Sequence, residues 1–351
     1  MLDGATSLDN AVSNESFQLS RFVKDKTLSL VDRIESYEDI IDLDIGDTTL
    51  LRARNLERET GLRQLYIKFE GSNPTGTQKD RIAFAQCLDA VRRDYDTIAC
   101  STCGNYGAAV ALAANLAGLK CYIFIPETFH TLRLGEMEKA GAIIEKVKGT
   151  YEDAVRYSAV QASKYGWYDA NPGGLNTSQQ LMTYAQIAHE IYDTLRDAPK
   201  IIAAPVSNGT MFAGIYRGFA SLYKRGKTSR IPRMIAASSY KKNPIVYSYQ
   251  KGYLTCMDLD QTKITENRIN EPLINWHSFD GDEALYALKN SNGSAYDISD
   301  ETMMMYTKKL KIKEGLHVLP ASTVGLAALL DLHQKTPLEP DRYVAVLTGR
   351  K

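Results

Sequence analysis

The sequence predicts an α/β protein built on two parallel sheets. Short β-branched runs alternate with helical patterns through the middle of the chain, and there are more such runs than one modest sheet would hold. The chain has 351 residues, 44% hydrophobic and 24% charged, enough to bury a sizeable core in each of two lobes rather than one large one.

Taken in order, residues 1–30 have weak periodicity and are expected to form an arm or extension. An apolar run at 65–69 leads into a loop containing Gly71, Ser72, Asn73, Pro74 and Gly76, and a helix-like stretch opens at Lys79. Residues 97–102 then read as a strand, 106–119 as an alanine-rich helix, and 121–126 as a second strand. A helix at 132–140, a strand at 143–147, a helix at 152–164 and a short strand at 167–170 continue the rhythm. It returns with a helix at 178–195, a strand at 201–206, a helix at 211–224 and a strand at 234–237. Residues 241–299 are polar and loop-rich, with 275–282 a candidate loop at the site. A helix at 323–332 and a strand at 343–347 end the pattern. Such β-α-β alternation calls for parallel strands joined by right-handed crossovers. The expected boundaries are a small domain at 81–175 and a large one from 1–80 and 176–351.

Composition narrows the function. Lys plus Arg and Asp plus Glu number 42 each, so the formal net charge is zero and neither a nucleic-acid footprint nor a membrane-seeking basic face is expected. The first twenty residues carry early acidic groups and no apolar stretch of signal-peptide length, and no run has the length of a membrane span, which points to a cytoplasmic chain. Cys100 and Cys103 form a C-x-x-C, but no second pair or paired His completes a tetrahedral metal site, so structural thiols and no metal are expected. Cys87, Cys121 and Cys256 read as small core residues.

Four segments carry chemistry. The first runs from Lys68 to Arg81, where a lysine stands at the junction of a turn-rich loop and a helix, fixing its base and aiming its amine. Gly71 and Gly76 have the spacing of a P-loop, yet Thr77 and Gln78 intervene before Lys79, and Asp80 follows it; the P-loop reading fails on both counts. The second runs from Ser101 to Ala109. Backbone N–H groups at its helix start, with hydroxyl and amide side chains, suit a carboxylate, although a plain βα turn would look the same. In the third, a buried strand enters Ser207, Asn208, Gly209 and Thr210 and a helix follows at once, which is a phosphate cradle in form. No G-x-G-x-x-G is present, so the dinucleotide fingerprint is lacking. The fourth is the terminal strand that delivers Thr348 to its carboxyl end, where ligands gather in open α/β sheets; alone it is equally an ordinary strand end.

In this order the four segments resemble fold-type II pyridoxal phosphate (PLP) enzymes, and threonine synthases in particular. The family's N-P-T-G-S-F-K-D-R pattern is similar to Asn73-Pro74-Thr75-Gly76-Thr77-Gln78-Lys79-Asp80-Arg81 here. Gly46-Asp47-Thr48-Thr49-Leu50 resembles the family's E-G-x-T-P-L opening, and residues 314–329 its E-P-A-S-A-A stretch, so the likeness runs from about residue 45 to the end. The resemblance implies a tryptophan synthase β-like fold: two open twisted α/β lobes with the cofactor in the cleft between them. It implies that Lys79 carries PLP through its amine and shuttles the Cα proton, while Asn105 hydrogen-bonds the ring hydroxyl. Ser207, Asn208, Gly209 and Thr210 would hold the cofactor phosphate, and Thr348 would face the pyridine nitrogen. Thr102, Cys103, Gly104, Asn105 and Tyr106 would line the substrate, with the first four gripping its carboxylate. A homodimer is the family-level expectation.

The chain departs from the pattern at three places, of which Ser207 for the first glycine of the family's P-V-G-N-G-T loop is a small change that a cradle tolerates. Tyr106 stands where threonine synthases have Thr, and its bulk is expected to reshape the substrate pocket. In the segment from Asn171 to Gln180, Gly174 stands where the family has an arginine that helps bind the phosphate of O-phosphohomoserine. The leading expectation is a threonine synthase-like lyase acting on an amino acid at Cβ or Cγ, with O-phosphohomoserine to threonine as the default reaction. The alternatives are a serine/threonine deaminase or a β-replacement enzyme, and, from another class, a non-catalytic relative that binds PLP or a metabolite.

Overall fold

The computed structural model describes residues 11–102, 104–127 and 133–351. In chain order it opens with helices α1 (Asn14–Lys24) and α2 (Leu30–Asp44), strand β1 (Leu50–Arg52), helix α3 (Arg54–Thr60) and strand β2 (Leu65–Phe69). Helix α4 (Lys79–Arg92) precedes the first alternation: β3 (Thr97–Ser101), α5 (Asn105–Ala117), β4 (Lys120–Pro126), α6 (Leu134–Lys139), β5 (Ile143–Val147), α7 (Tyr151–Tyr165) and β6 (Tyr168–Asp169). Helix α8 (Thr177–Leu195) leads to the second: β7 (Ile201–Pro205), α9 (Thr210–Lys224), β8 (Arg233–Ser239), α10 (Pro244–Gln250), α11 (Gly281–Asn290) and β9 (Ser294–Ile298). Helices α12 (Asp300–Glu314) and α13 (Val324–Lys335) and strand β10 (Tyr343–Leu347) complete the chain.

The chain divides into two compact units. One comprises residues up to Gly46 together with Asn73–Gln180, and the other Asp47–Ser72 with Leu181–Lys351. The first unit holds a four-stranded sheet in the order β5-β4-β3-β6, all parallel. Its central strand β3 is buried along its whole length, as a strand covered by helices on both faces must be. Helix α5 buries most of its length, and its run of alanines allows that.

The second unit holds a six-stranded sheet in the order β1-β2-β10-β7-β8-β9, parallel except for the β1–β2 pair. Strands β7 and β10 lie side by side in its centre, each fully buried. Beneath them α13 contributes Val324, Leu326, Ala327, Leu329 and Leu330 to a core with Ile201, Ala203 and Ala345.

Two features differ from the sequence expectation. Of the expected arm or extension, residues 1–10 lie outside the described residues and residues 14–24 form α1, which packs within the first unit, where the Ser20 hydroxyl donates to the Leu116 carbonyl of α5 at 2.9 Å. Tyr37 of α2 likewise donates to Ala113 at 2.9 Å. By contact, therefore, residues 11–46, 73–80 and 176–180 group with the first unit, which moves the expected boundaries of the large domain. The segment 241–299 also contains more regular structure than its polar composition suggests, namely α10, α11 and β9.

Candidate active site

Each sheet has one place where the strand order reverses, and three of the segments singled out in the sequence leave strands there. In the first unit the chain runs β3, β4, β5 outward and then returns to place β6 on the other side of β3. In the second it runs β7, β8, β9 outward and returns with β10 on the other side of β7. The carboxyl ends of strands at such a reversal open a crevice, because the following loops diverge to opposite sides. The loop Thr102–Asn105 leaves β3 at one reversal; Ser207–Thr210 leaves β7, and Thr348 leaves β10, at the other.

In the first unit the loop before Lys79 is held rigid by its own hydrogen bonds. Gly76, with φ of +90°, donates from its N–H to the Asn73 carbonyl at 2.9 Å, a turn that glycine adopts without strain. The Asp80 carboxylate accepts from the Thr75 N–H at 3.0 Å and the Thr75 hydroxyl at 2.8 Å. Burial pushes the Asp80 carboxyl up to about 6, against the opposing pull of the Thr75 hydroxyl and the Arg133 charge. Lys79 is the first residue of α4, half-buried, and its Nζ lies 5.5 Å from the centroid of the Tyr106 ring.

Tyr106 does not present its hydroxyl outward. The phenol donates to the Ala170 carbonyl at 2.7 Å and accepts from Gln86 Nε2 at 2.5 Å, and burial raises its pKa well above the usual phenol value. What it turns toward Lys79 is the ring, whose π face attracts an ammonium. Thr102 shapes the start of α5 from within: its hydroxyl oxygen accepts from the N–H groups of Gly104 at 3.3 Å and Gly107 at 3.1 Å. A side chain at Gly107 would strike Thr102 Cγ2 and Met137 Cε, both 2.6 Å from the position of a Cβ. Asn105 is the first residue of α5, and Cys103 lies outside the described residues. Arg133, which sequence reasoning missed, donates from Nη1 to Asn105 Oδ1 and from Nη2 to the Thr75 carbonyl, both at 2.9 Å. Gly174 is exposed, beside Leu175 at 97% exposure, in the turn before α8.

In the second unit, Gly209 caps α9 with φ of +100°, and a Cβ there would stand 2.7 Å from the Asp280 carbonyl oxygen. The backbone of Ser207–Thr210 is pinned from outside by the loop the sequence had marked at 275–282. The Ser278 hydroxyl donates to the Ser207 carbonyl at 3.1 Å, and the Asp280 N–H to the Asn208 carbonyl at 3.1 Å. The Thr210 hydroxyl is bonded to the Asp280 carboxylate. These bonds engage carbonyls and side chains, while the first N–H groups of a helix have no partner within it and open an anion site at its start. Thr348 follows β10 and lies 3.1 Å from the Ser322 hydroxyl, which also accepts from the Gly349 N–H at 2.9 Å.

Residues 41–349 match the model of one protein family, described as pyridoxal-phosphate dependent enzyme. The chain belongs to that family. It is 31% identical over 320 residues to the threonine synthase of Methanocaldococcus jannaschii, covering 88% of this chain and 76% of that one. Among solved structures it is similar to serine racemase from Dictyostelium discoideum, with a TM-score of 0.73, 20% identity, and coverage of 93% of this chain and 99% of that one. It is also similar to threonine deaminase isoform 2 from Solanum lycopersicum, with a TM-score of 0.70, 16% identity, and coverage of 91% and 90%. The fold is that of the fold-type II enzymes of this family, and the cofactor is pyridoxal 5'-phosphate. The residues fit such a group. A lysine amine is held at a helix start, and Gly209 leaves bare backbone at a second helix start where a Cβ would collide. Among the described residues no helix is long and apolar enough to cross a membrane.

Proposed function

We propose that this PLP-dependent enzyme is a lyase of threonine-synthase type, catalysing elimination or replacement at Cβ or Cγ of an amino acid. The observation that carries this reading is the setting of Lys79. Its amine lies over the Tyr106 ring in the same unit as the anion-suited start of α5, so a base and a carboxylate grip belong to one framework.

Bound PLP supplies an electron sink for charge that develops at the substrate Cα. The remaining roles fall to this chain's side chains. Lys79 carries the cofactor and then takes and returns the Cα proton. Thr102, Cys103, Gly104 and Asn105 hold the substrate carboxylate, and Asn105 also donates to the cofactor's ring oxygen. Tyr106 forms the floor beneath the amine. Ser207, Asn208, Gly209 and Thr210 bind the cofactor phosphate. Thr348 meets the ring nitrogen with a neutral hydroxyl, which does not force that nitrogen to be protonated as a carboxylate would.

The default substrate is O-phosphohomoserine, with threonine as product, and relatives at about 30% identity support it. One observation favours a second reading, a serine or threonine deaminase. At the tip before α8, Gly174 and the exposed Leu175 offer no cation for a substrate phosphate. Purified, PLP-loaded protein is offered O-phosphohomoserine, serine and threonine in turn. Release of inorganic phosphate with formation of threonine supports the synthase; ammonia and a keto acid from serine or threonine alone overturn it in favour of the deaminase. On the same reading the enzyme is a cytoplasmic homodimer, which sedimentation of the purified chain tests as to its assembly.

A further inference from the structure

Arg133 stands next to the proposed cofactor machinery with no role in it so far. Its side chain is 18% exposed, and its guanidinium reaches three segments of the first unit at once. Nη1 donates to Asn105 Oδ1 at 2.9 Å, Nη2 donates to the Thr75 carbonyl at 2.9 Å, and Nη2 and Nε donate to the Glu136 carboxylate at 2.6 and 3.2 Å. Thr75 lies in the loop that presents Lys79, Asn105 begins α5, and Glu136 belongs to α6.

An asparagine amide has one accepting end and one donating end, and the two are easily exchanged by a flip. A guanidinium removes that freedom, because it has donors only and can meet the amide solely at its oxygen. We infer that Arg133 is the positioning residue that fixes the polarity of the Asn105 amide, holding Oδ1 so that Nδ2 is the end presented to the cofactor ring oxygen. This rests on the reading of Asn105 given above. A ring oxygen that carries negative charge needs a donor; a flipped amide would set an acceptor against it. The planar fork matters as much as the charge. A lysine ammonium is a single point on a flexible stem and does not hold Asn105, Thr75 and Glu136 in one plane. Glu136 offsets the charge locally, so Arg133 acts on Asn105 through geometry.

The test reads the cofactor's visible absorption, not turnover. Wild type, Arg133→Met, Asn105→Ala and the double variant are loaded with PLP, and the pH at which the visible band titrates is recorded. Apo-protein is separately titrated with PLP by fluorescence. A donor beside the ring oxygen favours its deprotonated form, so losing the donor raises the midpoint. Arg133→Met and Asn105→Ala should each raise it by about one unit and weaken PLP binding roughly tenfold, with the double variant no worse than Asn105→Ala. Should Arg133→Met prove unstable, Arg133→Lys keeps the charge without the fork and should still raise the midpoint; an unmoved band there overturns the positioning role. Asn105→Asp is the comparison with Arg133 intact. A carboxylate still accepts from the guanidinium but has no donor for the ring, and the midpoint should rise at least as far. If Asn105→Ala moves the band and Arg133→Met does not, the positioning role is wrong and the cofactor reading stands. An unmoved band in both, or in Asn105→Asp, removes Asn105 from the ring oxygen and overturns the inference together with that part of the reading.

Discussion

At the scale of single residues, the charge states around Lys79 make two predictions. Lys79→Ala is expected to abolish the visible absorption of the reconstituted protein and to lower turnover by about 10³-fold or more; a coloured variant would dismiss Lys79 as the cofactor's attachment point. Its neighbour Asp80 gives a pH signature. Burial raises the folded carboxyl from 3.8 to about 6, so the folded state binds a proton that the unfolded chain has released. The stability this contributes is fully present below pH 3.8 and is lost as pH rises through about 6. Asp80→Asn removes the titration. Urea melts should show wild type losing stability relative to the variant between pH 4 and 7, by up to on the order of 3 kcal/mol; a pH-independent difference contradicts the buried, raised carboxyl. The lysine is legible in the sequence, because loop residues and a helix start flank it directly. Arg133 is not, since its bond to Asn105 spans 28 positions and depends on where α6 comes to rest.

At the scale of elements, the alternating strands and helices read well from sequence because the apolar pattern is the packing. Residues 143–147 and 343–347 are strands with those very limits. Two of the helices that periodicity misses have a buried face that is sparse or partly polar. Helix α1 buries Ser16, Ser20 and Val23, and α12, fifteen residues long, buries only Met303 and Leu310. Their starts nonetheless carry a readable signal, for Ser13, Ser29 and Ser299 each accept from the N–H of the helix they precede. The loop at 275–282 was recognisable as a neighbour of the site, but its hydrogen bonds to Ser207 and Asn208 were not, being 71 and 72 positions apart. The start of α9 makes the prediction proper to this scale. Gly209→Ala adds a Cβ that meets the Asp280 carbonyl at 2.7 Å, at a φ of +100°. The variant should lose about 2 kcal/mol of stability and bind PLP more weakly. Thermal melts of the apo-protein and a PLP titration check both, and unchanged binding would remove this loop from the phosphate role.

At the scale of the whole molecule, the chain enters the second unit at Asp47, leaves it after Ser72, and returns at Leu181. The early segment is therefore tied in by contacts remote in sequence. One tie is the parallel pairing of β2 with β10, in which Lys68 lies opposite Val346. Another is the side chain of Lys68 itself, 1% exposed, whose Nζ donates to the Thr48 carbonyl and to Glu190 of α8, each at 2.5 Å. Glu190 in turn accepts from the N–H groups of Asp47 at 3.2 Å and Thr48 at 3.3 Å. A lysine inside an otherwise apolar strand is the only sign of this in the sequence, and it does not name the partner. Truncating one member of a buried ion pair strands the other, which commonly costs about 3–5 kcal/mol. Lys68→Met should fall near the lower end, about 3 kcal/mol, because Glu190 keeps two backbone donors and is partly solvated. Neutralising the stranded acid should then help. Lys68→Met combined with Glu190→Gln is expected to unfold at a higher urea concentration than Lys68→Met alone, although Glu190→Gln by itself destabilises the wild type. That reversal of sign is the mark of a coupled pair. If the second change lowers the midpoint in both backgrounds, or Lys68→Met lies within about 0.5 kcal/mol of wild type, the ion pair is not what fastens residues 47–72 to the unit they belong to.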